Sequence, residues 1–469
     1  RRTNLFLFEV PKIHTLAAFG VLLTYHSEMC MRKIIRVFES IAEHAIHSCM
    51  GKEYRAGERE QWNGGGEPKQ SDGDGNSAVM KKIIRGSPYF HTISLCNECH
   101  RQISAKIIFE NGNVYLTKRC KEHGFQKVLI ATDIEYYKQQ RNFNKASEYP
   151  RTPHTDTVYG CPFDCGICPD HEQHSCLTLI EVTDRCNLTC PTCYASSSPT
   201  HGNHRTLEQI NMMLDAIVLS EGEPDVVQIS GGEPTIHPEF FQILDLAKSK
   251  PIKHLMLNTN GIKIANDLEF TKRLATYMPA FEVYLQFDSF KPAALRKLRG
   301  GDLTNIRKKA LENLNKYNIS TTLVVTLEKG LNDDEIGAII DFALTQPCVR
   351  GVTFQPTQVS GRLENFDPAV NRLTNTEVRQ KILDQTTIFQ PNDLIPVPCN
   401  PDALVMAYAL KYQNKVVPLT HLIDPDILLN SSKNTIVYEQ DEALQQHVMK
   451  MFSTGISTDM VSKTISTLL

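Results

Sequence analysis

Leu177-Thr-Leu-Ile-Glu-Val-Thr-Asp-Arg-Cys186-Asn-Leu-Thr-Cys190-Pro-Thr-Cys193-Tyr194 is the stretch on which the reading of this chain turns. A strand-like apolar run, Leu177 to Val182, leads directly into three closely spaced cysteines. Three thiolates at this spacing can hold three irons of a cubane cluster and leave the fourth iron open. An open iron can bind a substrate or cofactor, which a four-cysteine electron-transfer cluster cannot readily do. Downstream, a second apolar run, Val226–Ile229, is followed by Gly231-Gly232-Glu233-Pro234.

Upstream, Cys161-Pro-Phe-Asp-Cys165-Gly-Ile-Cys168 repeats the spacing in a different setting. No apolar strand leads into it, Gly160 and Pro162 flank Cys161, and Cys176 follows closely. The pattern predicts a second [4Fe-4S] cluster, either closed by Cys176 or with an open iron of its own. Further upstream, Cys96-x2-Cys99 and Cys120-x2-His123 bracket a segment that alternates like a hairpin around Asn111-Gly112, a strong turn signal. Two knuckles joined by a hairpin form a rubredoxin-like or zinc-ribbon site, suited to mononuclear Zn or Fe.

Composition narrows the class. A net charge of −3 without a basic stripe argues against nucleic acid as a partner. Of fourteen cysteines, ten lie between Cys96 and Cys193 in ligand-like spacings, which points to metals in a reducing cytoplasm rather than disulfides. The longest uncharged run near the start, Ile13 to Ser27, is shorter than the ~17–25 residues needed to span a bilayer, so no transmembrane segment is expected. The chain opens on Arg1, residues 51–79 read as a flexible linker, and Met80 is the expected natural start. Residues 1–79 are therefore expected to be a disordered or non-native extension.

After Cys193, helix-like and strand-like segments alternate. Apolar residues on one helical face run through Arg205–Leu219, and further helices are predicted at Phe240–Ala247, Asp267–Tyr277, Leu303–Tyr317 and Asp333–Ala343. Asn332 with Glu335 suggests an N-cap pair for the last of these. Strands are predicted at Val226–Ile229, His254–Leu257, Val283–Phe287, Thr321–Thr326 and Gly351–Phe354. Six βα units would place functional loops at the C-terminal ends of parallel strands, so that Cys186–Cys193 and Gly231–Pro234 meet at one mouth. Beyond residue 361, Thr374 and Glu377 read as a capping box, and Leu404–Leu410 as an apolar helical run.

The cysteine triad and the Gly-Gly-Glu-Pro motif together resemble the radical S-adenosylmethionine (SAM) superfamily. The three landmarks Cys96/Cys99/Cys120, Cys161/Cys165/Cys168 and Cys186/Cys190/Cys193 narrow the resemblance to archaeal and bacterial members described as pterin dimethyltransferases and tetraether lipid synthases. The resemblance implies an α/β fold: a partial (βα)6 barrel over 177–360, a rubredoxin- or zinc-ribbon-like knuckle over 80–133, an auxiliary cluster segment over 134–176, and an α/β extension over 361–469 serving as a candidate substrate chamber. It implies SAM bound to a [4Fe-4S] cluster on Cys186, Cys190 and Cys193, and cleavage to a 5′-deoxyadenosyl radical for methylation or C–C coupling. Gly231, Gly232 and Glu233 would meet the methionine moiety and Tyr194 the adenine. Thr259, Asn260, Gln286, Asp288, Thr326 and Gln355 are further candidate contacts to SAM or substrate. The first triad would hold either a closed cluster or one that binds a second SAM or the substrate.

The expected partners are a small-molecule or lipid substrate and a reductase such as flavodoxin or ferredoxin. The expected location is cytoplasmic, peripheral to the membrane if the substrate is a lipid. Only Cys348 and Cys399 follow Cys193, too few for the further cluster expected of the lipid-joining members. A rival class, an electron-transfer or metal-sensing protein, would close every cluster with four cysteines and leaves the glycine motif without a role.

Overall fold

The computed structural model describes residues 17–24, 87–143, 149–158, 168–169, 174–397, 400–412 and 415–421. Its centre is a run of six parallel strands: β1 (Leu177–Thr183), β2 (Val226–Gly231), β3 (His254–Thr259), β4 (Phe281–Gln286), β5 (Thr321–Leu327) and β6 (Val349–Pro356). They lie side by side in chain order. Parallel neighbours require crossovers. These contain helices α1 (Leu207–Glu221), α2 (Phe240–Lys248), α3 (Ile262–Asn266), α4 (Leu268–Ala275), α5 (Pro292–Arg299), α6 (Thr304–Lys316) and α7 (Ile336–Thr345). Local chemistry starts them: Thr206 and Gln209 form a reciprocal capping box on α1, and Asp267 caps α4.

The two faces of the sheet differ. Ile180, Val227, Leu257, Leu285, Val325 and Phe354 belong to one apolar cluster with helix residues such as Leu214, Leu244, Leu314 and Ile340. Each such burial contributes roughly 1.5–3 kcal/mol. The strand register puts Gln228, Tyr284, Gln286, Thr322, Thr326 and Gln355 on the opposite face. A parallel sheet covered by helices on both sides would be apolar on both. Here one face is polar because it surrounds a cavity.

The N-terminal unit is a four-stranded antiparallel sheet, Ser87–Leu95, Gln102–Glu110, Asn113–Cys120 and Gly124–Ala131. Asn111 (φ +52°) and Gly112 (φ +78°) turn its central hairpin, both in the left-handed region that a two-residue turn demands. This unit packs on the C-terminal extension. The Thr132 amide donates to Thr376 Oγ1 at 2.7 Å, Arg372 donates to the Leu129 carbonyl, and Gln140 and Arg141 donate to Asp402 at 2.7 and 3.0 Å.

Three expectations are corrected. Leu404–Leu410 is not helical: Leu404–Tyr412 is a strand paired with Ile395–Pro396 and Lys415–Pro418. Residues 404–409 are all buried, so the run shows no alternation from which its period could be read. Residues 17–24, expected to lie outside the fold, form a strand between β6 and Leu404–Tyr412. Their apolar run was weighed only as a membrane span, whereas its length also suits a buried strand. Asn332 does not cap α7, which starts at Ile336 without a side-chain cap. Its amide instead ties the β5 loop together, donating to Asp288 O and Thr326 O at 2.9 Å each. The Thr374–Glu377 capping box is present on helix α8 (Asn375–Gln385).

Candidate active site

The C-terminal ends of the strands open into a cavity of about 420 Å³, within the usual range for small-molecule sites. Cys186, Cys190, Cys193, Tyr194, Gly231, Gly232, Glu233, Thr259, Asn260, Gln286, Thr326 and Gln355 line it, so all but one of the residues expected at the mouth are brought together.

The cysteine loop is seated by the glycine motif. Gly232 N donates to Thr183 O at 2.8 Å and Glu233 N to Arg185 O at 2.9 Å. A Cβ on Gly231 (φ +121°) would lie 2.2 Å from Thr183 O, and one on Gly232 2.1 Å from Arg185 O. Both glycines are thus required by the approach of the loop's own backbone, a role additional to the expected contact with SAM.

Cys186 and Cys190 are buried, and burial pushes the Cys186 thiol up to about 12. Burial also raises Cys190, with the Arg299 guanidinium pulling against it. Three thiols gathered on one loop at the cavity are a soft donor set that an iron cluster fits. Cys186, Cys190 and Cys193 would hold a [4Fe-4S] cluster here.

Glu233 is fully buried and already engaged. Its Oε1 accepts from Thr235 N (3.1 Å), Thr235 Oγ1 (2.6 Å) and Thr259 Oγ1 (2.7 Å), and its Oε2 from Asn260 N (2.8 Å). Burial raises its pKa against these bonds. It therefore fixes Thr259 and Asn260 as well as lining the cavity. Tyr194 is half-exposed, with its hydroxyl 3.1 Å from Ser230 Oγ.

Asp288 is the exception. It is fully buried and does not line the cavity. Its Oδ1 accepts from Arg299 Nη2 (2.6 Å), Gln286 Nε2 (2.8 Å) and Thr326 N (3.2 Å), and its Oδ2 from Arg299 Nε (2.9 Å) and Arg307 Nη2 (3.3 Å). Expected as a contact to SAM or substrate, it forms a hub that orients Gln286, Thr326 and Arg299. Arg299, which sequence reasoning missed, lines the cavity and donates to the Thr192 carbonyl at 3.3 Å. No local pattern marks it, because its partner lies on another loop.

A separate metal centre sits in the N-terminal sheet. One ligand atom from each of Cys96, Cys99, Cys120 and His123 lies within 4.8 Å of the others. His123 Nδ1 is 3.5 Å from both Cys96 Sγ and Cys120 Sγ, and the Cys99 and Cys120 sulfurs are 3.8 Å apart. These edges fit a tetrahedron with metal–sulfur bonds of about 2.3 Å and a metal–nitrogen bond of about 2.0–2.1 Å. Glu98 lies 3.7 Å from His123 Nε2, on the side that leaves Nδ1 to the metal. Although burial opposes it, the N–H groups of Cys99 and Glu98 and the Gln126 amide bring the Cys96 thiol down to about 6.

Of the auxiliary set, Cys161 and Cys165 lie outside the described residues. Cys168 is half-buried and Cys176 buried. Cys176 enters β1 beside His174 and Ser175, which both bond Glu221 at the end of α1 (3.1 and 2.9 Å). Cys348 is buried in the apolar cluster, and Cys399 lies outside the described residues.

Comparison with known proteins agrees with this geometry. The Radical SAM superfamily matches residues 180–343, and the HMPTM N-terminal zinc ribbon domain matches residues 88–132. The chain is 33% identical over 334 residues to 7,8-dihydro-6-hydroxymethylpterin dimethyltransferase of Methanocaldococcus jannaschii, covering 70% of this chain and 65% of that protein. It is 28% identical over 181 residues to GTP 3′,8-cyclase of Alkaliphilus oremlandii, covering 38% of this chain and 55% of that one. The chain thus spans between about half and two thirds of these relatives' length. Among solved structures it is similar to Streptococcus suis SuiB bound to S-adenosylmethionine, at 19% identity and a TM-score of 0.35, over 41% of this chain and 44% of that one.

Proposed function

We propose that this chain is a radical SAM enzyme that transfers methyl groups to a small polar heterocycle of the pterin kind. The observation that carries this reading is the set of amide and hydroxyl side chains placed within the mostly apolar lining of the cavity into which the cluster cysteines open. Asn258, Asn260, Gln286, Thr326, Gln355 and Gln358 surround it, groups that match the donors and acceptors of a nitrogen heterocycle. The similarity to a pterin dimethyltransferase supports the same choice over C–C coupling on lipid.

When bound, a reduced [4Fe-4S] cluster and SAM together supply a 5′-deoxyadenosyl radical able to take hydrogen from an unactivated carbon. The protein's residues provide placement and shielding. Cys186, Cys190 and Cys193 hold the cluster at one side of the cavity, and Gly231–Glu233 fix the floor of the cysteine loop. Arg299, anchored by Asp288, presents a fixed positive charge between that loop and the end of β5. Tyr194 is set to stack over the adenine. The electron donor would be a flavodoxin or ferredoxin. A second cluster on Cys161, Cys165 and Cys168, with Cys176, is part of the same proposal. Among the described residues, no helix is long and apolar enough to cross a membrane.

The test is anaerobic reconstitution, dithionite reduction and mass spectrometry of SAM products, with pterins and lipids offered in parallel and Cys186→Ala as control. Formation of 5′-deoxyadenosine, lost in the control, with mass gain on the pterin is the expected result. SAM cleavage with lipid modified and pterin untouched would overturn the substrate reading.

A further inference from the structure

We propose that Arg362 is the positioning residue of the cluster loop, holding the backbone of Cys190–Ser197 so that its thiols face the cluster before any iron arrives. Residues 357–364 leave the end of β6 and cross back over the cysteine loop. Arg362–Leu363 pairs antiparallel with Thr192–Cys193, apart from the main sheet. From that position the guanidinium reaches three carbonyls: Nε donates to Cys190 O at 2.7 Å, Nη1 to Ser196 O at 3.2 Å and Nη2 to Ser197 O at 2.9 Å. Glu364 N adds a bond to Pro191 O at 3.1 Å.

The approach is tight. Gly361, at φ +61°, carries no side chain where a Cβ would lie 2.2 Å from Tyr194 O and 2.3 Å from Cys193 O. Ser196 holds a left-handed φ of +52° within the same turn. Such a conformation costs of order 1–3 kcal/mol and persists only where its surroundings impose it.

The chemistry explains why an arginine stands here. Apart from the Thr192–Cys193 pairing, the cysteine loop forms neither helix nor sheet, so its other carbonyls need donors from elsewhere. A planar five-donor fork can serve three of them at once, which a lysine ammonium on a flexible stem does not do. On its other side the same crossing segment is cavity wall, since Thr357, Gln358, Ser360 and Leu363 line the cavity. One short segment therefore joins the wall of the SAM and substrate space to the cysteines that hold the cluster. The inference rests on the cluster site and not on the substrate.

The experiment compares reconstituted native protein with Arg362→Gln and Arg362→Lys under anaerobic conditions. Iron release to a chelator is followed beside the EPR spectrum of the reduced cluster, the melting temperature, and zinc release from the ribbon as an internal reference. Arg362→Gln is expected to release iron about tenfold faster, in line with the effect of losing an outer-shell partner. Its EPR spectrum should change, while ribbon zinc release and melting temperature stay native. Arg362→Lys should fall between the two, and carries the test alone if the glutamine variant does not fold. Native iron release and a native EPR spectrum in both variants would overturn the proposal. So would a rise in iron release matched by equal loss of ribbon zinc and melting temperature, which would mark a general loss of stability.

Discussion

Asp288 adopts φ +68° with its carboxylate wholly inside the protein, a backbone region that Asn and Asp enter more readily than other side chains. Burial alone would raise its pKa, but Arg299 and then Arg307 outweigh it and hold the carboxyl at about 2. An unfolded aspartate titrates near 3.9. With the folded value lower, the contribution of this group to stability is present above about pH 4 and is lost as pH falls toward 2. Acid unfolding of the metal-free protein, followed by circular dichroism, should show this loss in native protein and not in Asp288→Asn. The substitution keeps the side chain's shape and its tolerance of positive φ, and leaves two buried guanidinium groups without their anion. A destabilisation of about 3 kcal/mol in urea is expected. A change under 1 kcal/mol would mean that solvent reaches the two arginines. The reading of this residue as a contact to SAM or substrate did not include its role as a buried hub, for a physical reason. Its partners lie 11 and 19 residues downstream on separate elements, and an ion pair made in three dimensions leaves no periodic trace. Arg362, 172 residues from Cys190, was hidden for the same reason. The cysteines and glycines were legible because metal ligation and close backbone approach restrict residue type at fixed local spacing.

Among elements, the N-terminal sheet depends most on its ligand. Its buried apolar cluster is small, with Ile107, Val114, Ala131 and Tyr137 at its centre. A unit of this size does not hold itself together by burial alone and needs a metal or a neighbour. Extracting the metal with a chelator should abolish amide protection across residues 96–126 while β2–β5 keep theirs, read by hydrogen exchange. Retained protection without metal would show that packing against the extension suffices. The hairpin of this sheet was legible from Asn111-Gly112, where a tight turn demands two left-handed residues in succession. The six βα units were legible because short apolar runs alternate with segments whose apolar residues fall on one helical face, and turns separate them. Leu404–Tyr412 was not, since its Leu, Met and Ala residues favour helix and residues 404–409, all buried, show no alternation.

At the scale of the whole molecule, one side of the parallel sheet makes the core and the other makes the reaction space. The extension beyond residue 361 is more than an appendage, for it supplies both the crossing segment over the cysteines and the seat of the ribbon. That seat has a consequence for how the protein is made. Thr132 and Thr376 meet although 244 residues separate them in sequence, and Gln140 and Asp402 are 262 apart. A ribosome adding ~5–20 residues per second takes roughly 12–50 s to cover the first of these gaps. During that interval the nascent ribbon can capture its metal and close its hairpin, but it has nothing to dock on. The ribbon is therefore expected to mature early, as an autonomous bead on the growing chain. The oxygen-sensitive cluster would be enclosed later, because Arg362–Leu363, which clasps its loop, follows all six strands of the parallel sheet in the chain. Metal delivery to this protein would then be ordered in time by translation itself, the ribbon's metal first and iron–sulfur afterwards.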